Sequence, residues 1–375
     1  METSAWVYIS LTFICVGLAI FVSKEREVRL AYTNEWTRQR TWDQILQIGI
    51  YLLMAGVSVC RIAVGNDYWV YTANFELIAQ GRYVSSEFGF NFVAWWLQKW
   101  FGYRAYLPIF GFFSILTVYF SLKAIREQSK WYAGSLFLFF TAGFYFSGLN
   151  NVRYYFALAI AIAAITAVLQ GNYFRFVLYI IFAAAFHRSV LIVIPIYLLA
   201  HQAASHRLRI RHAVLLGIVV CSLLFGVDLY RKAIFLIYPF YEGSSFDVAR
   251  ISWVNVAKCA GSVILGLICY RDQLILRDTD KDCIALRFYF FLNVGALILY
   301  TCATFIPEIS RIGYYMSISQ IFLLPSLLWK SKKVWFRTIA IVCISIAFLG
   351  YFALFLKQSY AQEIRLLPYR NWIFQ

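Results

Sequence analysis

Apolar residues fill this chain in long stretches separated by short polar breaks. The stretches lie near residues 5–22, 44–60, 105–122, 132–148, 153–169, 175–187, 189–201, 213–228, 253–270, 287–306, 314–329 and 338–356. A helix that crosses a bilayer needs about 20 mostly apolar residues. The pattern therefore predicts an all-α fold, a polytopic transmembrane helical bundle of about 12 spanning helices in one integral domain over 1–375. Residues 88–101 differ: the stretch is apolar but short, and it carries Asn91, Gln98 and Lys99 among Trp95, Trp96 and Trp100. Tryptophan favours the headgroup level, so a re-entrant or interfacial helix is expected there.

Charge orients the bundle. The chain is 62% hydrophobic and 14% charged, with a net charge of +16. No basic soluble stretch exists to serve nucleic acid, so the excess reads as loop bias and as sites for anionic membrane lipid. Loops 23–43, 123–131, 170–175, 201–212, 271–287 and 330–337 hold 20 of the 34 Lys and Arg residues and are expected on the cytoplasmic side. Both termini then face outward. Asp67, Glu87, Asn150, Arg153, His187, Arg188, Glu242, Arg250 and Arg311 share the outer side, where loops 61–104 and 229–252 would cover a site. A site facing away from the cytoplasm has no nucleotide supply, so transfer chemistry there needs an exported, lipid-linked donor. The eight cysteines lie mostly inside apolar runs without metal-ligand spacing. The first apolar run lacks a basic lead-in and reads as a retained helix.

Ordered motifs resemble a known family. Gly65-Asn66-Asp67-Tyr68, followed by Tyr71 and Phe75, is similar to the outer-loop Asp/Tyr motif of EpsG-type proteins. Glu87-Phe88-Gly89-Phe90 resembles that family's Glu-Pro-Gly-aromatic element, with Phe88 in place of proline. Asn151-Val152-Arg153 followed by Ala157 resembles its Asn-x-Arg-Gln motif, with Tyr154 in place of glutamine. Phe186-His187-Arg188-Ser189 resembles its Phe-His-x-Ser motif, and Arg311 to Tyr315 its late Arg-x-x-x-Tyr motif. The resemblance implies a GT-C-like membrane glycosyltransferase of the Wzy polymerase type in the bacterial inner membrane. It implies a polyprenyl-diphosphate-linked oligosaccharide as donor and as acceptor, polymerised on the periplasmic side into O-antigen, capsule or exopolysaccharide. Tyr68 and Asn150 then become candidate glycan contacts, and a chain-length regulator a candidate partner.

The residue chemistry fits that expectation. Arg153 and Arg311 are the leading candidate diphosphate ligands, with Arg188 and Arg250 beside them, because a guanidinium fork matches phosphate oxygens. Arg153 also starts a helix rich in Ala157, Ala161 and Ala164, whose N-terminal dipole favours an anion. Each arginine has a plainer alternative, pairing with a carboxylate or reaching headgroups. Glu87, Asp67 and His187 are the candidate bases for an acceptor hydroxyl; Glu87 alternatively pairs with Arg82 or Arg153, Asp67 caps a turn, and His187 serves as a turn residue. Tyr241, Glu242, Tyr314 and Tyr315 are candidate sugar contacts or members of an interfacial aromatic belt. No Asp-x-Asp appears among the outer carboxylates, so no metal and no cofactor are expected. A lipid-linked glycan flippase and an O-antigen ligase are the alternatives. The pattern shows neither inverted repeats nor spans broken by Gly or Pro, which weighs against transport.

Overall fold

The computed structural model describes residues 3–22, 38–205, 210–237, 242–243, 251–275, 281–305, 309–330, 333–360 and 365–373; Tyr241, Arg250 and Glu308 lie outside the described residues. The helices, in chain order, are α1 (Thr3–Ile20), α2 (Arg38–Val59), α3 (Asp67–Ala79), α4 (Phe88–Phe101), α5 (Tyr106–Gln128), α6 (Tyr132–Thr141), α7 (Phe144–Asn150), α8 (Val152–Leu169) and α9 (Tyr173–Ala184). A 3-10 turn (Arg188–Ile192) leads into α10 (Val193–Ser205), followed by α11 (Ile210–Phe225), α12 (Val227–Ile237), α13 (Trp253–Ile275), α14 (Lys281–Cys302), α15 (Ile309–Ser317), α16 (Gln320–Lys330) and α17 (Val334–Gln358). No strand occurs among the described residues, and the fold is all-α as expected.

The expected count of about 12 spans is not confirmed. Among the described residues seven helices are long and apolar enough to cross a membrane, or eight if one bent pair counts as a single span. Several apolar stretches fold into helices that are too short. Helix α9 has 12 residues and extends about 18 Å, against a hydrocarbon core of about 30 Å. The bent pair bears on a second expectation, that no span is broken by Gly or Pro. Helices α6 and α7 meet at 45°, at Gly143, whose φ of +83° suits glycine. The chain thus bends at Gly143, as a broken span or a re-entrant turn, and Pro325 lies inside α16.

The described chain forms two compact units: Met1–Thr166 with Phe174–Leu191 and Leu328–Gln375, and Ala167–Tyr173 with Ile192–Leu327. In the first unit α2 packs on α5 and α1, and α1 packs on α6. The window Val152–Leu169 is 83% buried, which makes α8 a core helix, as its small-residue face requires. Residues 61–104, expected as a covering loop, hold α3 and α4. Helix α3 buries Tyr68, Tyr71, Thr72, Phe75 and Ile78, a three- and four-residue spacing that puts them on one face. Helix α4 buries Phe90, Ala94, Leu97 and Gln98 and exposes Phe88, Phe92, Trp96 and Trp100. The Gln98 side-chain amide donates to the Phe75 carbonyl at 2.8 Å and ties the two helices.

The chain's C-terminal segment returns to the end of α2. The Ile62 amide donates to the Arg370 carbonyl at 2.9 Å, Gly65 to Arg365 at 2.8 Å, and Trp372 to Cys60 at 2.9 Å. The Tyr8 and Tyr369 hydroxyls donate to the Leu366 and Val57 carbonyls. Arg61, 1% exposed, caps the end of α2 by donating to the Ser58 carbonyl and reaches the Ser114 hydroxyl at 2.9 Å. Residues 61–66, which lead into Asp67, are thus held from both sides.

In the second unit α14 packs against α13, α10 and α15. The Tyr197 hydroxyl donates to the Tyr315 carbonyl at 2.6 Å, and the Asn293 amide to the Ser319 hydroxyl at 2.8 Å. In the stretch expected as a second covering loop, 229–252, helix α12 continues through Ile237.

Candidate functional site

Three segments distant in sequence meet around Glu87. It occupies the N-cap position of α4, yet its side chain makes no capping bond there. The carboxylate instead accepts from Arg153 Nη1 at 2.5 Å through Oε2. Its other oxygen accepts from the Arg188 backbone amide at 3.3 Å and lies 3.6 Å from His187 Nδ1. The Arg153, Glu87 and His187 side chains are 27%, 16% and 14% exposed. All three stay within reach of a ligand while being largely withdrawn from solvent.

Backbone geometry fixes this meeting. The Gly89 amide donates to the Ala185 carbonyl at 2.8 Å. A Cβ on Gly89 would stand 2.8 Å from that same oxygen, so only glycine permits the approach. The turn after α9 is closed by the His187 amide donating to the Ala183 carbonyl at 3.0 Å. Together these bonds set His187 against the start of α4.

Arg153 stands in the first turn of α8. Asn151 precedes that helix, and its side-chain oxygen accepts from the Tyr154 amide at 3.4 Å, in the manner of an N-cap. The guanidinium lies over the Phe90 ring at 5.5 Å and the Tyr71 ring at 5.8 Å. These faces stabilise a cation without consuming its N–H groups. Arg153 Nε is buried and has no hydrogen-bond partner, a donor left over for an anion. The Tyr71 hydroxyl donates to the Asn151 side-chain oxygen at 3.4 Å. Burial pushes the Tyr71 phenol above its ordinary value, against the opposing pull of Arg153, so it remains a neutral donor at physiological pH.

Asp67 is the first residue of α3, and its backbone amide donates to the Asn150 side-chain oxygen at 3.0 Å. Asn150 therefore pins α3 to the end of α7, a structural use of the group that glycan contact would need. Tyr68 is 3% exposed, and its ring stacks on Phe110 at 4.8 Å. Tyr315 is fully buried. Both rings fill core space and present no open face for a sugar. In the second unit Arg311 and Tyr314 stand half-buried on α15, and Glu242 is exposed in a turn.

Tyr71 and Tyr154 were missed as site residues. Tyr71 lies four residues after Asp67 on α3, a spacing that puts both on one helix face. Tyr154 is 1% exposed, and its ring lies 5.4 Å from the His187 ring. Its signal was its place directly after Arg153. Among the described residues no group of three His, Cys, Asp or Glu side chains has the geometry to hold a metal.

No curated protein and no solved structure matches the chain. The EpsG family model matches residues 45–371, which takes in all three segments around Glu87 and the late arginine motif. This chain therefore belongs to the EpsG family, and with it to the polymerase-type membrane proteins of polysaccharide synthesis.

Proposed function

We propose that the protein is a Wzy-type glycosyltransferase of the bacterial inner membrane that polymerises polyprenyl-diphosphate-linked oligosaccharide repeat units on the periplasmic side. The cluster of Arg153, Glu87 and His187 carries this reading, because it joins an anion-seeking guanidinium to an acid–imidazole pair. Arg153 binds the donor's diphosphate through its remaining N–H groups and the α8 dipole. The acceptor hydroxyl attacks the anomeric carbon. The new glycosidic bond forms as the bond from that carbon to the diphosphate oxygen breaks. The electron pair leaves with polyprenyl diphosphate, and the hydroxyl proton passes to His187. Glu87 orients the imidazole and stabilises its charged form, as a carboxylate behind a histidine does in acyl transfer. Asp67, at the start of α3, is the alternative base.

Arg311, Arg188 and Arg250 are the further candidate cations for a diphosphate, and Glu242, Tyr241 and Tyr314 the candidate glycan contacts. No metal takes part. Removing one fixed cation aimed at a developing charge costs about 2.7–4 kcal/mol, a loss of about 100- to 1,000-fold in rate. Glycan chain length in a deletion strain, complemented with variants, tests this reading. Arg153→Ala and Arg311→Ala are expected to accumulate at wild-type levels and to leave single-unit glycan. Normal long chains with either variant remove that arginine from the site. Among the described residues the bend at Gly143 and Pro325 inside α16 favour the flippase reading, since transporters use discontinuous helices. A flippase defect would abolish even the single-unit glycan that depends on an exported repeat, whereas a polymerase defect spares it.

A further inference from the structure

At the other end of α2 and α5 from Glu87 lies a cavity of about 700 Å³. Helix α2 runs from Arg38 to Val59 and leads into Asp67; α5 begins at Tyr106 and ends at Gln128. The cavity is lined by the first half of α2, by the last turns of α5 and by Tyr132. Phe110, near the start of α5, touches the Tyr71 ring. Lys123 is 13 residues further on, about 20 Å along the axis. The cavity is thus separate from the Glu87 cluster and belongs to the same unit.

Its lining divides into two parts. Arg40, Lys123 and Arg126 bring three cations, with Gln44 and Gln47 as neutral donors beside them. Glu127 is the one carboxylate in the lining, and it accepts from the Thr166 hydroxyl at 2.8 Å. Asp43 is buried, takes the Gln39 amide at 3.1 Å, and does not line the cavity. Deeper along the helices the lining turns apolar, through Ile48 and Tyr119. Those two are 57% and 48% exposed, and Leu52 and Ile115 extend the same two stripes at 61% and 42%.

We propose that this cavity is a binding site for the phosphate headgroup of an anionic phospholipid, with an acyl chain lying along Ile48, Leu52, Ile115 and Tyr119. Cations at the helix ends, continuous with exposed apolar stripes one to two turns deeper, match an amphiphile rather than a free anion. Arg40 stands in the first turn of α2, where the helix dipole adds to the attraction for phosphate. Arg40, Lys123 and Arg126 fall within 23–43 and 123–131, two of the sequence stretches that carry the dense positive charge.

The test uses the purified full-length protein in mild detergent. Retention of phosphatidylglycerol and of phosphatidylcholine is read by native mass spectrometry, with inorganic phosphate added alone in a parallel arm. The wild type is expected to retain phosphatidylglycerol preferentially. Lys123→Gln with Arg126→Gln is expected to weaken that retention by at least about tenfold, the loss of one or more charge-assisted bonds. Arg175→Gln, an exposed cation outside the cavity lining, is expected to leave it unchanged. Equal retention of both lipids, an unaffected double variant, or an equal loss in Arg175→Gln each overturns the proposal. So does phosphate binding without lipid preference, which would assign the cavity to a soluble anion. If the double variant does not elute as a single species, Lys123→Gln alone must show the loss for the site to stand.

Discussion

Gly89→Ala tests the docking that brings Glu87 to its partners. The new methyl would meet the Ala185 carbonyl oxygen at 2.8 Å and the Ala185 Cβ at 3.0 Å. Relief to ordinary contact needs a shift of about 0.6 Å at the start of α4, since close-packed interiors tolerate little compression. The obstacle is backbone and cannot rotate away, so α4 must move. That shift stretches the bond from Gly89 to Ala185 and draws Glu87 from Arg153, where the pair now stands at 2.5 Å. Overpacking of this kind costs about 1–3 kcal/mol of stability. Misplacing a catalytic group by about 1 Å costs about 100-fold in rate, so a shift of this size predicts a loss of about tenfold or more. Gly111→Ala is the matched control, because its Cβ would meet only the Val59 side chain at 3.4 Å. The assay is polymer yield per mole of folded protein, with thermal melting on the same preparations. Wild-type yield and melting in Gly89→Ala would refute the positional reasoning. Equal damage in Gly111→Ala would show that the effect is general helix disruption.

Three further outcomes follow from the same geometry. Gly143→Ala places a side chain at φ +83° with the Phe355 ring 3.2 Å from its Cβ; it is expected to cost about 1–3 kcal/mol, read as a lower melting temperature. Chelator is expected to leave polymerisation unchanged, and a loss restored by a divalent ion would overturn the metal-free mechanism. Arg153→Lys keeps the charge but loses the fork, so it is expected to retain part of the activity that Arg153→Ala loses, measured as chain length at equal protein level.

Much of the helical order was legible because bilayer-scale apolar runs leave few other folds. The short stretch 88–101 became α4 with the same bounds, since Glu87 at its N-cap and Gly102 at its C-cap mark its ends. The span count was legible only in part. The stretch 175–187 was already shorter than the ~20 residues a crossing needs, and its helix α9 ends at Ala184. Hydropathy does not register φ, so the run through Gly143 reads as one span although the chain turns there. The pairing of Glu87 with Arg153 was open in the sequence as one of two alternatives, because nothing local fixes a contact across 66 positions. Tyr68 and Tyr315 show the opposite failure: an aromatic near a polar motif looks like a sugar platform, while only packing reveals that its face is already covered.

The account rests on Arg153, Glu87 and His187 acting as one unit on a lipid diphosphate. The direct measurement is a reconstituted reaction with purified protein and a defined polyprenyl-diphosphate-linked repeat unit, followed as a ladder of products. Wild type should extend the unit into a ladder and release polyprenyl diphosphate. Glu87→Gln and Arg153→Ala, each folded, should release none above background, and the double variant should lose little more than either single one. A full ladder from either single variant would contradict the account.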